Sequence, residues 1–131
     1  MTVFLVLVLL FIPLLMIIIG AVMTIKPPKE VNPIVGYGTE RARASPEAWQ
    51  YSQRLFGKLS LVFNFLSLAL SALVINLNWG ILFEEQGNMS QVLIFSNHLL
   101  IMWTAQTIIL CLAIPFVEHK LKKKFPEKST L

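Results

Sequence analysis

The chain has 131 residues, of which 56% are hydrophobic, and its formal net charge is +4. Its mean hydropathy is +0.70, and ordinary soluble domains contain only about 45–50% apolar residues, so the composition argues against a soluble protein. Cys111 is the single cysteine, which excludes an intramolecular disulfide and gives no basis for a metal cluster. The chain is therefore expected to be an integral membrane protein.

Three long apolar runs, at residues 3–25, 59–77 and 92–117, contain no Asp, Glu, Lys or Arg. A helix needs about 20 apolar residues to cross about 30 Å of hydrocarbon. We therefore predict an all-α membrane protein, one membrane domain with three transmembrane helices over about residues 3–25, 57–79 and 92–117. The first run lacks a positively charged start and a small-residue cleavage site before Lys26, so we expect a retained anchor rather than a signal peptide.

The loop at residues 26–56 is rich in proline and glycine in its first half. Asn32-Pro33 favours a turn, and Gly36 and Gly38 allow unusual backbone angles around Tyr37. This part of the loop is expected to be irregular.

A helix is predicted to begin before the second span. Ser45 can cap it, Pro46 suits its first position, and Glu47 complements its positive end. We expect this juxtamembrane helix to continue into the membrane, with Trp49 at the membrane interface, and Gly57 permits a bend where the helix enters the bilayer.

The basic residues predict the orientation in the membrane. All 11 Lys and Arg residues lie either between the first two apolar runs or after the third, whereas the remaining loop carries only Glu84 and Glu85. Basic loops stay on the cytoplasmic side. We predict an outside amino terminus, with the loop at 26–56 and the basic tail at 118–131 inside. The tail is expected to attract anionic lipid, and no nucleic acid is expected as a partner.

Small and polar residues recur every three or four positions along the second helix and therefore share one face. Such residues allow close helix packing in lipid, so we predict that this face points into the bundle. Its members are Trp49, Gln53, Gly57, Ser60, Asn64, Ser67 and Ser71.

The third helix offers a second, weakly polar face, because Asn97, Thr104 and Cys111 follow at intervals of seven. We expect the two faces to meet, although Asn97 and His98 lie near the outer end of their span and should not cluster with Asn64. His98 is a candidate functional residue because ionisable side chains are rare inside membranes, or it simply reaches water. Gln106 is expected to join helices.

The motif Asn32-Pro-Ile-Val-Gly-Tyr-Gly-Thr39, followed by Trp49, Arg54 and Gly57-Lys58 at the start of a span, resembles the SdpI family of bacterial membrane proteins. The resemblance covers the loop and its flanking spans. Gly38 stands where the family usually has arginine, so of the Arg-Thr pair that would bind an anion this chain retains only Thr39, with Arg41 and Arg43 nearby. The candidate functional residues of the loop are Asn32, Gly36, Tyr37, Thr39, Trp49, Arg54, Gly57 and Lys58, and the candidate polar residues within the membrane are Asn64, Asn97, His98 and Gln106.

The resemblance implies a non-enzymatic protein of the bacterial cytoplasmic membrane. The named member of the family is longer, and this chain resembles its later part. That member protects its producing cell from a secreted antimicrobial peptide and signals by holding a transcriptional repressor at the membrane. The implied partners are the lipid bilayer and either a peptide toxin or a cytoplasmic regulatory protein.

Two other functions stay open. One is an accessory subunit of a larger membrane complex, or a homo-oligomer. The other is an intramembrane enzyme acting on lipid or peptide, but the sequence has no His-Glu-x-x-His, Gly-x-Ser-x-Gly or P-loop motif. We predict no catalytic residue, no metal and no cofactor.

Single cysteines test the predicted orientation. Placed at Ser45, Asn88 or Ser129 in a Cys111→Ser background, only the cysteine at position 88 should react with an impermeant thiol reagent added outside intact cells. Reaction at position 45 or 129 would contradict the orientation, and labelling after lysis serves as the control for reactivity.

Overall fold

The computed structural model describes residues 2–80 and 88–126, in which the backbone forms helices and no strands. Three of these helices are long and apolar enough to cross a membrane, which confirms the predicted all-α membrane fold. Glu84, Glu85 and the end of the tail lie outside the described residues. The helices are α1 (Thr2–Ile25), α2 (Glu40–Arg43), α3 (Pro46–Leu77) and α4 (Met89–Lys124).

The predicted juxtamembrane helix is confirmed, because α3 is one continuous helix that includes the second span. Its cap is Ser45, whose hydroxyl accepts a hydrogen bond of 3.1 Å from the backbone N–H of Ala48. Helix α4 continues past the predicted end of the third span at residue 117. The first part of the basic tail is therefore helical, and its lysines lie at the helix end that favours positive charge.

Helices α1 and α3 approach each other closely where Gly20 meets Gly57. A Cβ atom at position 57 would lie 2.9 Å from the carbonyl oxygen of Gly20 and 2.7 Å from Oγ1 of Thr24. Nearby, the Ser60 hydroxyl donates a hydrogen bond of 3.3 Å to the carbonyl of Met16. Glycine at 57 thus permits close helix packing.

The polar face of α3 is buried, as its spacing predicts. All seven of its predicted members, from Trp49 to Ser71, are buried. The side-chain amide of Asn64 donates to the Ser60 carbonyl at 2.7 Å, and that of Gln106 on α4 donates to the Ser67 hydroxyl. Gln106 therefore joins two helices, as expected.

The expected contact between the two polar faces is wrong, because Asn97, Thr104 and Cys111 are all exposed. The Thr104 hydroxyl donates to the Leu100 carbonyl of its own helix at 2.8 Å, so it needs no partner on α3. Helix packing in lipid depends on van der Waals contact, and larger apolar side chains provide it here. The buried residues of α4 are Phe95, Leu99, Ala113, Val117 and Leu121.

The expected separation of the outer polar residues from Asn64 is confirmed. Asn64 is buried on α3, whereas Asn97 and His98 are exposed on α4. These three side chains therefore do not form one site within this chain.

Candidate functional site

The loop that precedes α2 is shaped by a turn and a glycine. Oδ1 of Asn32 accepts hydrogen bonds from the backbone N–H groups of Ile34 at 2.8 Å and Val35 at 3.2 Å, which confirms the predicted turn. Gly36 has φ 107°, a conformation that other residues rarely adopt. A Cβ atom there would also lie 2.5 Å from Oε1 of Gln53.

The side chain of Gln53 fastens the loop to α3. Its Oε1 accepts from the backbone N–H of Tyr37 at 2.7 Å, and its Nε2 donates to the Tyr37 carbonyl, also at 2.7 Å. Gln53 is fully buried, and buried amides are costly unless they are hydrogen-bonded. One side chain therefore satisfies both backbone groups of Tyr37.

Trp49 supports the loop from within the protein, as its place on the predicted inward face of α3 implies, and its expected depth at the membrane interface stays a prediction. The side chain is fully buried, and its Nε1 donates a hydrogen bond of 2.9 Å to the Pro28 carbonyl. Trp49 and Gln53 are four residues apart on α3 and share the helix face that receives the loop. The same packing brings Trp49 into a cluster with Met23 and Tyr37.

Glu118, near the end of α4, joins the loop to the third long helix. Its Oε1 accepts hydrogen bonds from the hydroxyls of Tyr37 at 2.8 Å and Thr39 at 2.6 Å. Its Oε2 lies 3.6 Å from Nε of Arg41. We call Tyr37, Thr39, Arg41 and Glu118 the Glu118 cluster. Hydrogen bonds to a charged group contribute about 1.5–3 kcal/mol, so the cluster stabilises the loop.

Burial, followed by the hydrogen bond to Glu118, raises the pKa of the Tyr37 hydroxyl well above its ordinary value. The group therefore stays protonated and donates its hydrogen bond throughout the neutral range. Thr39 has a second role, because its hydroxyl also accepts from the backbone N–H of Ala42 at 3.3 Å and caps α2.

The sequence matches the model of the SdpI/YfhL protein family over residues 29–117. The chain belongs to the SdpI/YfhL family. No curated protein and no solved structure gives a significant match. The matched range includes the loop from residue 29 onward, all of α3 and most of α4, and it ends one residue before Glu118.

In this SdpI/YfhL protein the predicted loop residues fall into two groups. Arg54 and Lys58 are exposed on α3, so they are available to a partner. The others make contacts that hold the loop or the helices together: Asn32, Gly36, Tyr37, Thr39, Trp49 and Gly57. A functional role for any of the eight stays a prediction.

At position 38, where this chain has glycine in place of the family's usual arginine, the guanidinium of Arg43 fills the adjacent space. A Cβ atom at position 38 would lie 2.5 Å from Nη2 of Arg43, and the same nitrogen donates to the Pro33 carbonyl at 3.4 Å. The absence of a side chain at 38 leaves room for this guanidinium, so positive charge is present beside Gly38 although the residue is neutral.

Sequence reasoning missed Glu118 because we assigned it to the tail. A usable signal was present: Glu118 is the only acidic residue between Met89 and Lys124. A carboxylate near the carboxyl end of a helix is disfavoured by the helix dipole. An acid at this position needs partners that stabilise its charge. Hydroxyl groups and an arginine in the loop between the first two spans are suitable partners.

An open cleft of about 1000 Å³ lies beside the Glu118 cluster. Arg41, Glu118 and Lys124 contribute charge to its walls, while Leu121 and Phe125 contribute apolar surface. Within the described ranges, no group of three or more His, Cys, Asp or Glu residues is placed to hold a metal ion. The cleft combines charges of both signs with apolar surface.

A double-mutant cycle tests the Glu118 cluster. Tyr37→Phe and Glu118→Ala should each lower the free energy of unfolding in detergent by about 1–3 kcal/mol, because each leaves a polar partner unsatisfied. Their effects should be non-additive by at least about 0.5 kcal/mol. Glu30→Ala, at an exposed position of the loop, is the control and should change little; strictly additive effects would contradict the contact.

Proposed function

We propose that this SdpI/YfhL family protein is a non-enzymatic protein of the bacterial cytoplasmic membrane that provides immunity to a membrane-active peptide. The supporting observation is the Glu118 cluster, which binds the loop to α4 at distances of 2.6 and 2.8 Å. Together with Gln53, it gives the segment between the first two spans a defined surface instead of leaving it a flexible tether.

The cleft beside the cluster is the proposed contact surface for a cytoplasmic regulatory protein. Arg41 and Lys124 supply positive charge, and Leu121 and Phe125 supply apolar surface. Protein interfaces combine an apolar centre with a polar rim, and this cleft offers both. Occupation of the cleft would connect events in the membrane to a soluble partner.

Binding rather than catalysis is also favoured by how Glu118 is used. Its two oxygens already face two hydroxyl donors and one guanidinium, so the carboxylate acts as a structural acceptor. An enzyme would need a base or nucleophile placed to reach substrate. The intramembrane enzyme is accordingly the less supported alternative.

An accessory subunit of a larger complex is the second candidate, and the exposed outer part of α4 favours it. Asn97 and His98 are exposed on a membrane-spanning helix. Polar residues in such helices usually face protein or a water-filled cavity. A neighbouring chain would give them partners, and stable co-purification of other chains would support this alternative.

Gene deletion and complementation test the immunity role. Deletion should lower the minimal inhibitory concentration of at least one membrane-active peptide several-fold, and the wild-type gene should restore it. Arg54→Gln should restore less resistance, because its side chain is exposed and its charge is available to a partner, while membrane abundance and thermal stability stay unchanged.

The control is Lys29→Gln, which removes an exposed positive charge elsewhere in the loop and should restore full resistance. Unchanged sensitivity of the deletion strain across a panel of membrane-active peptides would contradict immunity. Full resistance with Arg54→Gln would contradict the role assigned to that residue.

A further inference from the structure

A crevice of about 390 Å³ lies between α1 and α4, next to the loop. Both helices pack against α3, and the space that remains between them is bounded by Met16 on α1, Phe56 on α3, and Leu110 and Ile114 on α4. The backbone around Gly38 bounds the loop end of the crevice. The crevice therefore has apolar walls on three helices.

The hydroxyl groups that line the crevice are already hydrogen-bonded within the protein. Tyr37 and Thr39 donate to Glu118, and Thr107 donates to the Trp103 carbonyl at 2.9 Å. A buried water needs two to four polar partners. Because these hydroxyls already donate hydrogen bonds within the protein, they are poorly suited to hold a water molecule. The lining thus favours a hydrocarbon occupant over water.

The position of the crevice indicates where that hydrocarbon comes from. Met16, Leu110 and Ile114 belong to helices long and apolar enough to cross a membrane, so acyl chains are the hydrocarbon that these walls would meet in a bilayer. The crevice is open rather than enclosed, and loop residues line one end of it. The hydrocarbon best placed to occupy it is therefore an acyl chain from the leaflet on the loop side.

Arg43, which is not itself part of the lining, places positive charge beside Gly38 at the loop end of the crevice. Gly38 contributes to the lining, and the exposed Arg43 places its guanidinium where a side chain at position 38 would begin. Guanidinium groups bind phosphate through paired hydrogen bonds. We propose that the crevice binds one acyl chain of an anionic phospholipid from the loop-side leaflet, with the lipid phosphate on Arg43. This site does not depend on the proposed immunity role.

Native mass spectrometry of the full chain tests the lipid site. The protein is extracted from bilayers of equal amounts of phosphatidylglycerol and phosphatidylethanolamine, and retained phospholipid is measured as detergent is removed. Wild-type protein should retain phosphatidylglycerol preferentially. Cys111→Trp should lose most of it, because residue 111 lines the crevice, whereas Leu112→Trp, at a neighbouring residue with 63% exposure, should retain it.

Arg43→Gln should retain phospholipid with at least a several-fold lower preference for phosphatidylglycerol, and Lys29→Gln should keep the wild-type preference. If Cys111→Trp does not fold, as judged by thermal unfolding, Leu110→Phe replaces it as the crevice-filling variant. The proposal is overturned if wild-type protein retains no phospholipid, if the crevice-filling variant and Leu112→Trp lose it equally, or if Arg43→Gln keeps the wild-type preference.

Discussion

The carboxylate of Glu118 imposes the main constraint on this protein. It lies near the carboxyl end of a long helix, where the helix dipole disfavours negative charge. It accepts hydrogen bonds from Tyr37 and Thr39, which lie 81 and 79 positions earlier in the chain. Arg41 adds an ion pair. The acid and the loop hydroxyls satisfy each other, so this contact ties the position of the loop to that of the end of α4.

Two contacts on α3 complete this arrangement. Gln53 binds both backbone groups of Tyr37, and Trp49 binds the Pro28 carbonyl, so the loop is held at its start and at its middle. The cleft and the crevice both adjoin this arrangement, since Thr39 lines each of them. The two proposed binding surfaces thus share one structural support.

Patterns in short stretches of the sequence predicted most of the fold. The long apolar runs indicated the spans, Ser45-Pro46 indicated the start of α3, and the spacing of three to four residues indicated its buried face. Local pattern failed where the answer depended on a distant partner. Asn97 is exposed because apolar side chains of α4, among them Phe95 and Leu99, pack against α1 and α3 instead. Glu118 was missed for the same reason, because its partners are remote in sequence.

The central claim is that the loop is fixed to the helices. Hydrogen exchange of the backbone N–H of Tyr37 tests this claim most directly. Its bond of 2.7 Å to the buried Gln53 should make its exchange at least tenfold slower than that of the exposed Lys29 and Glu30, about 1.4 kcal/mol of protection. Glu118→Ala should accelerate exchange at Tyr37 and leave Lys29 unchanged. Exchange at Tyr37 in the wild-type protein as fast as at Lys29 and Glu30 would contradict a loop fixed to the helices.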